Sequence, residues 1–264
     1  MKKILILCVD YNSAIDTIGF INSVLNMHSV IEVVLILNSG KTNFPENFFN
    51  KKRLHVYDYG SNLGYMQAAS EGLKSYLKSN ELPDWIILSN TDISFPDKNF
   101  FDRLSEDTRQ EFIIAPDIVS YDGAHQNPFL KKRLARKKLF FLTKVNSCSL
   151  VSALYNLLAK IKIRCKMIKG IKTPESSFIY APHGSFIIIG SHYFTSGETL
   201  DHPAFLYGEE LLIAERALRS GISTFYDSSY QVIHAEHVAT GKMSNSFRAK
   251  SLRDSLNSII RDFY

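Results

Sequence analysis

The sequence predicts an α/β protein with a mostly parallel central sheet flanked by helices on both faces. Two observations carry this. Short apolar runs of strand length alternate with longer stretches of helical period through the first 120 residues. Several of the runs stop at polar clusters, Asp10-Tyr11-Asn12, Asn38-Ser39 and Asn90-Thr91-Asp92. Strands of a sheet covered on both faces end this way at a ligand-bearing edge.

Residues 4–9 form an apolar run that Asp10 ends. It is too short for a signal peptide and lacks a small-residue cleavage site, so a first buried strand is expected. In 15–27, Ile15, Ile18, Ile21, Val24 and Leu25 fall on one side of a helix. Residues 31–37, IEVVLIL, are a β-branched strand ending at the turn Asn38-Ser39-Gly40. A short strand is expected at 54–57, a helix at 66–77 and a strand at 85–88. A helix at 98–104 and a strand at 112–115 follow. Segment 125–175 breaks the alternation. It resumes with strands at 178–180 and 186–189, a helix at 209–220, and strands at 224–226 and 231–234. No Gly-, Ser- or Pro-rich linker and no internal repeat divides the chain. A single domain over 1–264 with a basic amphipathic insertion at about 125–175 is therefore expected. With no GxGxxG and no GxxxxGK[ST], neither a Rossmann fingerprint nor a P-loop is present.

Composition narrows the class. The 264 residues are 45% hydrophobic and 22% charged, which excludes disordered and collagen-like chains. Cys8, Cys148 and Cys165 have no paired spacing, so a disulfide framework and a cysteine-ligated metal are not expected. A reducing cytoplasmic setting fits. No stretch approaches the ~20 apolar residues of a membrane span. The net charge of +5 is uneven: 123–174 hold 13 Lys/Arg and no Asp or Glu, which leaves 18 basic against 26 acidic residues elsewhere. In that segment Lys131-Lys132-Arg133 and Arg136-Lys137-Lys138 flank Leu134, and Leu139-Phe140-Phe141-Leu142 follow. Leu150, Leu154, Leu157, Leu158 and Ile161 then recur at helical spacing. Three readings stand: an element for an anionic membrane surface, a solvated basic face over a core helix, or a nucleic-acid patch. No nucleic-acid motif accompanies it, so a nucleic-acid partner is not expected.

Three places could carry chemistry. Asp92, just after a strand, can hold a divalent metal through oxygen, and such a metal neutralises a diphosphate leaving group. The same Asn90-Thr91-Asp92 also makes an ordinary turn. Glu209 and Glu210 open a helix after Tyr207-Gly208. Acidic residues there can serve the helix dipole alone, and Glu215 with Arg219 suits an ordinary surface pair. A glutamate at the mouth of the sheet can instead act as general base toward a hydroxyl. Finally, His234-Ala235-Glu236-His237 follows a strand. A histidine there can complete a mixed oxygen–nitrogen metal site or contact a phosphate.

In their order along the chain these features resemble glycosyltransferase family 2, in particular its bacterial rhamnosyltransferase-like branch, which builds surface polysaccharides. The resemblance covers roughly residues 3–122 and 178–245. It implies a GT-A-like nucleotide-diphospho-sugar transferase fold and an inverting transfer of a sugar from a nucleotide-sugar donor. The implied acceptor is a saccharide or a lipid-diphosphate-linked saccharide, with Mg2+ or Mn2+ as cofactor. CVDYNS resembles the first strand and nucleotide-base segment, which implicates Asp10, Tyr11 and Asn12, with Asn38 after the second strand. NLGYMQAASEGL is similar to the Asn-x-Gly segment facing the donor, bringing in Asn62 and Gly64. SNTD is similar to the metal-binding DxD variant, which makes Asp92 the metal carboxylate beside Asn90 and Thr91. FLYGEELLIAERALRSGI resembles the segment bearing the catalytic acid, which falls on Glu210 with Glu209 before it. VIHAEH resembles the late histidine, which gives His234 to the metal or diphosphate. His183, Gly184 and Ser185 fall where the family lines the sugars. Asn90 stands where the first Asp of DxD would be, Glu210 is one methylene longer than the usual Asp, and Leu37 replaces an Asp before Asn38. A sugar nucleotidyltransferase and a non-catalytic nucleotide-binding scaffold of the same fold are the alternative readings.

Overall fold

Nine strands form one sheet: β1 (Ile4–Asp10), β2 (Ile31–Leu37), β3 (Leu54–Tyr57), β4 (Trp85–Ser89), β5 (Ile93–Ser94), β6 (Ile113–Ser120), β7 (Ser177–Ile179), β8 (Phe186–Gly190) and β9 (Thr224–His234). The structure is a computed structural model that describes residues 1–41, 43–167, 173–236 and 244–264, without the side chains of 159–167. Ile161, Cys165 and His237 therefore lie outside the described side chains. The strand order is β3-β2-β1-β4-β8-β6-β9-β5, with β7 on β9. From the pairings, β1 to β4, β6 and β9 point one way, and β5, β7 and β8 the other. The sheet is thus mostly parallel.

Two of the three reversed strands, β5 and β8, matter most. Because β8 and β5 run backwards, the loops that enter them lie on the edge where the parallel strands exit. Ser89 pairs with Phe186, and Ile93 with His234.

The helices are α1 (Ala14–Met27), α2 (Tyr65–Leu77), α3 (Phe100–Glu106), α4 (Arg136–Val145), α5 (Ser149–Met167), α6 (Ser191–Thr195), α7 (Glu209–Arg219) and α8 (Asn245–Phe263). Alternate strand residues face opposite sides. Ile6, Val33 and Leu35 pack with Phe20, Ile21 and Val24 of α1 and with Phe100 and Leu104 of α3. Leu5, Leu7, Val34 and Ile36 pack with Met66, Ala69 and Leu73 of α2 and with Leu212 and Ala217 of α7. The central strands are covered on both faces, which is why they read as unbroken apolar runs.

Three expectations are corrected. The strands at 224–226 and 231–234 are one strand, β9, interrupted where its register against β6 jumps between Pro116 and Asp117. Proline has no N–H to donate, and a bulge accommodates it. The helix expected at 98–104 begins at Phe100. Glu215 does not make a surface pair with Arg219. It is buried, bound by Arg133 and by the Tyr180 hydroxyl, while Arg219 binds Glu198.

Helix α8 has no counterpart in the sequence reading. Its buried side is built largely of Ala249, Ser251, Ser255 and Ser258, which give little apolar period, and Ser244 caps it by accepting the Phe247 N–H. The basic segment docks on it, with Leu139 of α4 packed among Leu256, Ile259 and Ile260.

Candidate active site

A cleft of about 490 Å³ opens along the edge where the parallel strands end. That volume falls in the range of small-molecule sites. Lining it are Tyr11, Asn38, Asn62, Gly64, Asn90, Thr91, Asp92, His183, Gly184, Glu209, Glu210 and His234, all expected from sequence. Asp10 and Asn12 are not among the lining residues. Asp10 is buried and accepts from the hydroxyls of Ser13, Thr17 and Ser39. It therefore fixes the turn from β1 into α1 and presents Tyr11 without reaching the cleft.

Asn38 also works partly through the backbone. Its side chain accepts from the Leu63 N–H and donates to the Gly64 carbonyl, pinning the loop before α2. Asn62 accepts from the Gly64 N–H in a local turn. Gly64 has φ +81°, and a β-carbon there would meet the Phe205 carbonyl oxygen at 2.0 Å. Only glycine permits this approach.

The Asp92–His234 pair sits where β9 meets β5. The Ala235 N–H donates to the Asp92 carbonyl, and His234 Nε2 stands 3.3 Å from Asp92 Oδ1. On the other side of the ring, Nδ1 lies 2.8 Å from Gln126 Oε1. Gln126 turns its oxygen to the ring because its amide nitrogen donates to Glu236. An N–H in the Gln126 bond leaves a lone pair on Nε2 facing a carboxylate oxygen. In that neutral tautomer the two atoms form a donor pair that suits a divalent cation. Their separation is near the ~3 Å between neighbouring donors of an octahedral ion with ~2.1 Å bonds. Among the described residues no group of three His, Cys, Asp or Glu converges as a protein-only metal cage. Asp92 and His234 thus offer two donors, the number expected where phosphates and water supply the rest. The lining charges agree: Asp16, Asp92, Glu209, Glu210 and Glu236 are present and, among the described residues, no Lys or Arg.

His183 is held in the opposite tautomer. The Ser185 N–H points at its Nδ1, which leaves the ring proton on Nε2. Burial, then the neighbouring His234, push its pKa down to about 4, so it is a neutral N–H donor.

Glu209 and Glu210 begin α7 against Gly184. A β-carbon on Gly184 would lie 2.8 Å from the Glu209 side chain and 3.0 Å from Glu210 Oε1. Burial raises both carboxyls above the ordinary range, and for Glu210 the charge of Glu209 adds to it. The Glu210 carboxylate also takes the Gly184 N–H. Glu209 Oε2 is buried without a hydrogen-bond partner, and so is the Tyr65 hydroxyl. Burial, then the Glu209 charge, hold the Tyr65 phenol well above its usual pKa, so it is a donor. An unsatisfied buried donor and acceptor lining one cleft suit a polar ligand group.

Tyr65 and Gln126 were not found from sequence, and Glu236 stood there only as part of the His234-Ala235-Glu236-His237 run, with no role. Tyr65 follows the Gly64 turn and could have been read from it. Gln126 carried no signal, because it lies in the segment that breaks the alternation.

The fold is GT-A-like α/β. No protein-family model and no curated protein sequence matches the chain. Solved structures similar to it include GalNAc-T7 with UDP, GalNAc and Mn2+, at TM-score 0.58 and 16% identity, covering 94% of this chain and 47% of that one. A mannosyltransferase from Pyrobaculum calidifontis in complex with GDP-Man and Mn2+ matches at TM-score 0.52 and 9% identity, over 98% of this chain and 74% of that one. A mycobacterial protein matches at TM-score 0.52 and 13% identity over the same shares. The chain thus spans about half the length of the first of these.

Proposed function

We propose that the protein is a metal-dependent glycosyltransferase that moves a sugar from a nucleotide-diphosphate donor to an acceptor hydroxyl with inversion. One observation carries this: Asp92, His234, Glu209 and Glu210, far apart in the chain, meet in one acidic cleft at the strand edge. Tyr11, beside Asn38 and Asn62, receives the nucleotide. Asp92 and His234 would hold Mg2+ or Mn2+, which would supply positive charge for the diphosphate leaving group. Glu210, whose raised pKa poises it as a base, takes the proton of the acceptor hydroxyl. The acceptor oxygen attacks the anomeric carbon, the bond from that carbon to the phosphate oxygen breaks, and the diphosphate departs with the electron pair. The His183 N–H and the Tyr65 O–H orient oxygens of the two substrates.

The fold shared with sugar transferases that bind UDP or GDP-Man with Mn2+ supports this reading. The motif order supports the finer one, a member of family 2 of the rhamnosyltransferase-like branch. Its acceptor would be a saccharide or lipid-diphosphate-linked saccharide in surface polysaccharide (O-antigen or capsule) synthesis at the inner face of the cell membrane. Donor hydrolysis across UDP-, dTDP- and GDP-sugars tests it. One donor should be consumed in the presence of Mn2+, and Glu210→Gln should lower turnover about 10²–10⁴-fold with nucleotide affinity kept. Full turnover by that variant would refute the base assignment.

A further inference from the structure

The first half of helix α5, residues 149–158, turns its large aliphatic side chains outward. Leu150, Val151, Leu154, Leu157 and Leu158 share one side at helical spacing, and all five are exposed, Leu150 at 80% and Leu154 at 57%. Among its described side chains the buried one is polar: Ser152, which bonds Asn146. A surface helix ordinarily does the reverse. Contiguous exposed apolar area of this kind marks an interaction site.

Helix α4 extends the surface. It packs inward through Leu139 and leaves Phe140 and Phe141 exposed. Phe141 lies 6.2 Å from the ring of Tyr155 on α5. Cations stand on these rings, Arg136 over Phe140 at 5.4 Å and Lys138 over Phe141 at 4.7 Å. Lys131, Lys132, Lys137 and Lys144 are exposed in the same segment, and no Asp or Glu occurs from 123 to 174. Among the described residues Arg133 is tied to a carboxylate, Glu215, and these other cations are not.

We propose that α4 and α5 seat the protein on an anionic phospholipid bilayer, with the leucine stripe in the acyl boundary and the Lys/Arg side chains at the headgroup phosphates. Among the described residues no helix is long and apolar enough to cross a membrane, so the contact lies in the plane of the surface. Nucleic acid would match the charge but leave five exposed aliphatic side chains uncovered. A second copy would cover the leucines but bring two like-charged segments together. The inference extends the proposed function, to which it adds a membrane surface that would suit a lipid-linked acceptor, yet it rests on separate observations. Its test involves no catalysis, so its failure leaves the nucleotide-sugar reading intact.

The test is co-sedimentation of the full chain with vesicles of phosphatidylcholine alone and of phosphatidylcholine with phosphatidylglycerol. The double variant Leu154→Glu/Leu157→Glu is compared, with circular dichroism to confirm its fold and light scattering to read its mass. The protein should bind the anionic vesicles and not the neutral ones, less so in high salt, and the double variant should bind at least about tenfold more weakly. No binding to anionic vesicles, equal binding to neutral ones, or undiminished binding by the folded double variant would overturn the proposal. So would a dimer that the double variant dissociates, because a second copy would then cover the stripe.

Discussion

Individual side chains in the cleft work in pairs, one touching the ligand position and one fixing its partner. Gln126 is such a fixer, since it sets which nitrogen of His234 faces Asp92. Gln126→Leu should weaken Mn2+ binding about 10–100-fold, the usual effect of removing a partner behind a metal ligand. Gln126→Glu, which keeps the acceptor, should restore much of it. Electron paramagnetic titration of free Mn2+ reads both without any substrate. Glu209 offers a stability test. Its folded pKa is raised above the unfolded value, so the native state binds this proton more tightly than the unfolded chain. The resulting destabilisation is absent below the unfolded carboxyl range, near about pH 4, and grows as the pH rises toward the folded value. In chelator, Glu209→Gln should therefore be more stable than the parent at neutral pH, with the gain vanishing in acid. Thermal melts at the two pH values check the sign.

Among the elements, the loops that close the cleft are set by glycines. Gly64→Ala would force a β-carbon against the Phe205 carbonyl at a positive φ. It should cost about 1–3 kcal/mol in urea unfolding, with a matching loss of nucleotide affinity. Buried strands β1, β2 and β4 were legible in the sequence because burial on both faces leaves nothing but apolar residues. The polar residues after them, and the carboxylates opening α7, were legible as a set because strand ends share an edge. Less legible was β9, read as two strands, because the Asp227-Ser228-Ser229-Tyr230 bulge looks like a turn. Helix α8 stayed hidden because serine and alanine make up much of its inner face, with Leu256, Ile259 and Ile260 confined to its end. Asp10 misled for a related reason: a carboxylate closing a strand has the same sequence signature whether it meets a ligand or three nearby hydroxyls.

Across the whole molecule, one sheet brings three reversed strands into a parallel frame, and two of them, β5 and β8, bear on the cleft. That topology puts His183 and Gly184 before β8, and Asp92 before β5, on the same edge as Tyr11, Asn38 and His234. The result is an acidic cleft, which on the proposed reading takes a cation together with a diphosphate, and no Lys or Arg lines it among the described residues. The most direct measurement is calorimetric titration of UDP, GDP and dTDP into the parent and into Asp92→Asn, with Mn2+ and after chelation. At least one nucleoside diphosphate should bind the parent with Mn2+, and chelation or Asp92→Asn should each weaken it at least about tenfold. Equal affinity without the cation, or no binding of any of the three, would contradict the assignment of this cleft.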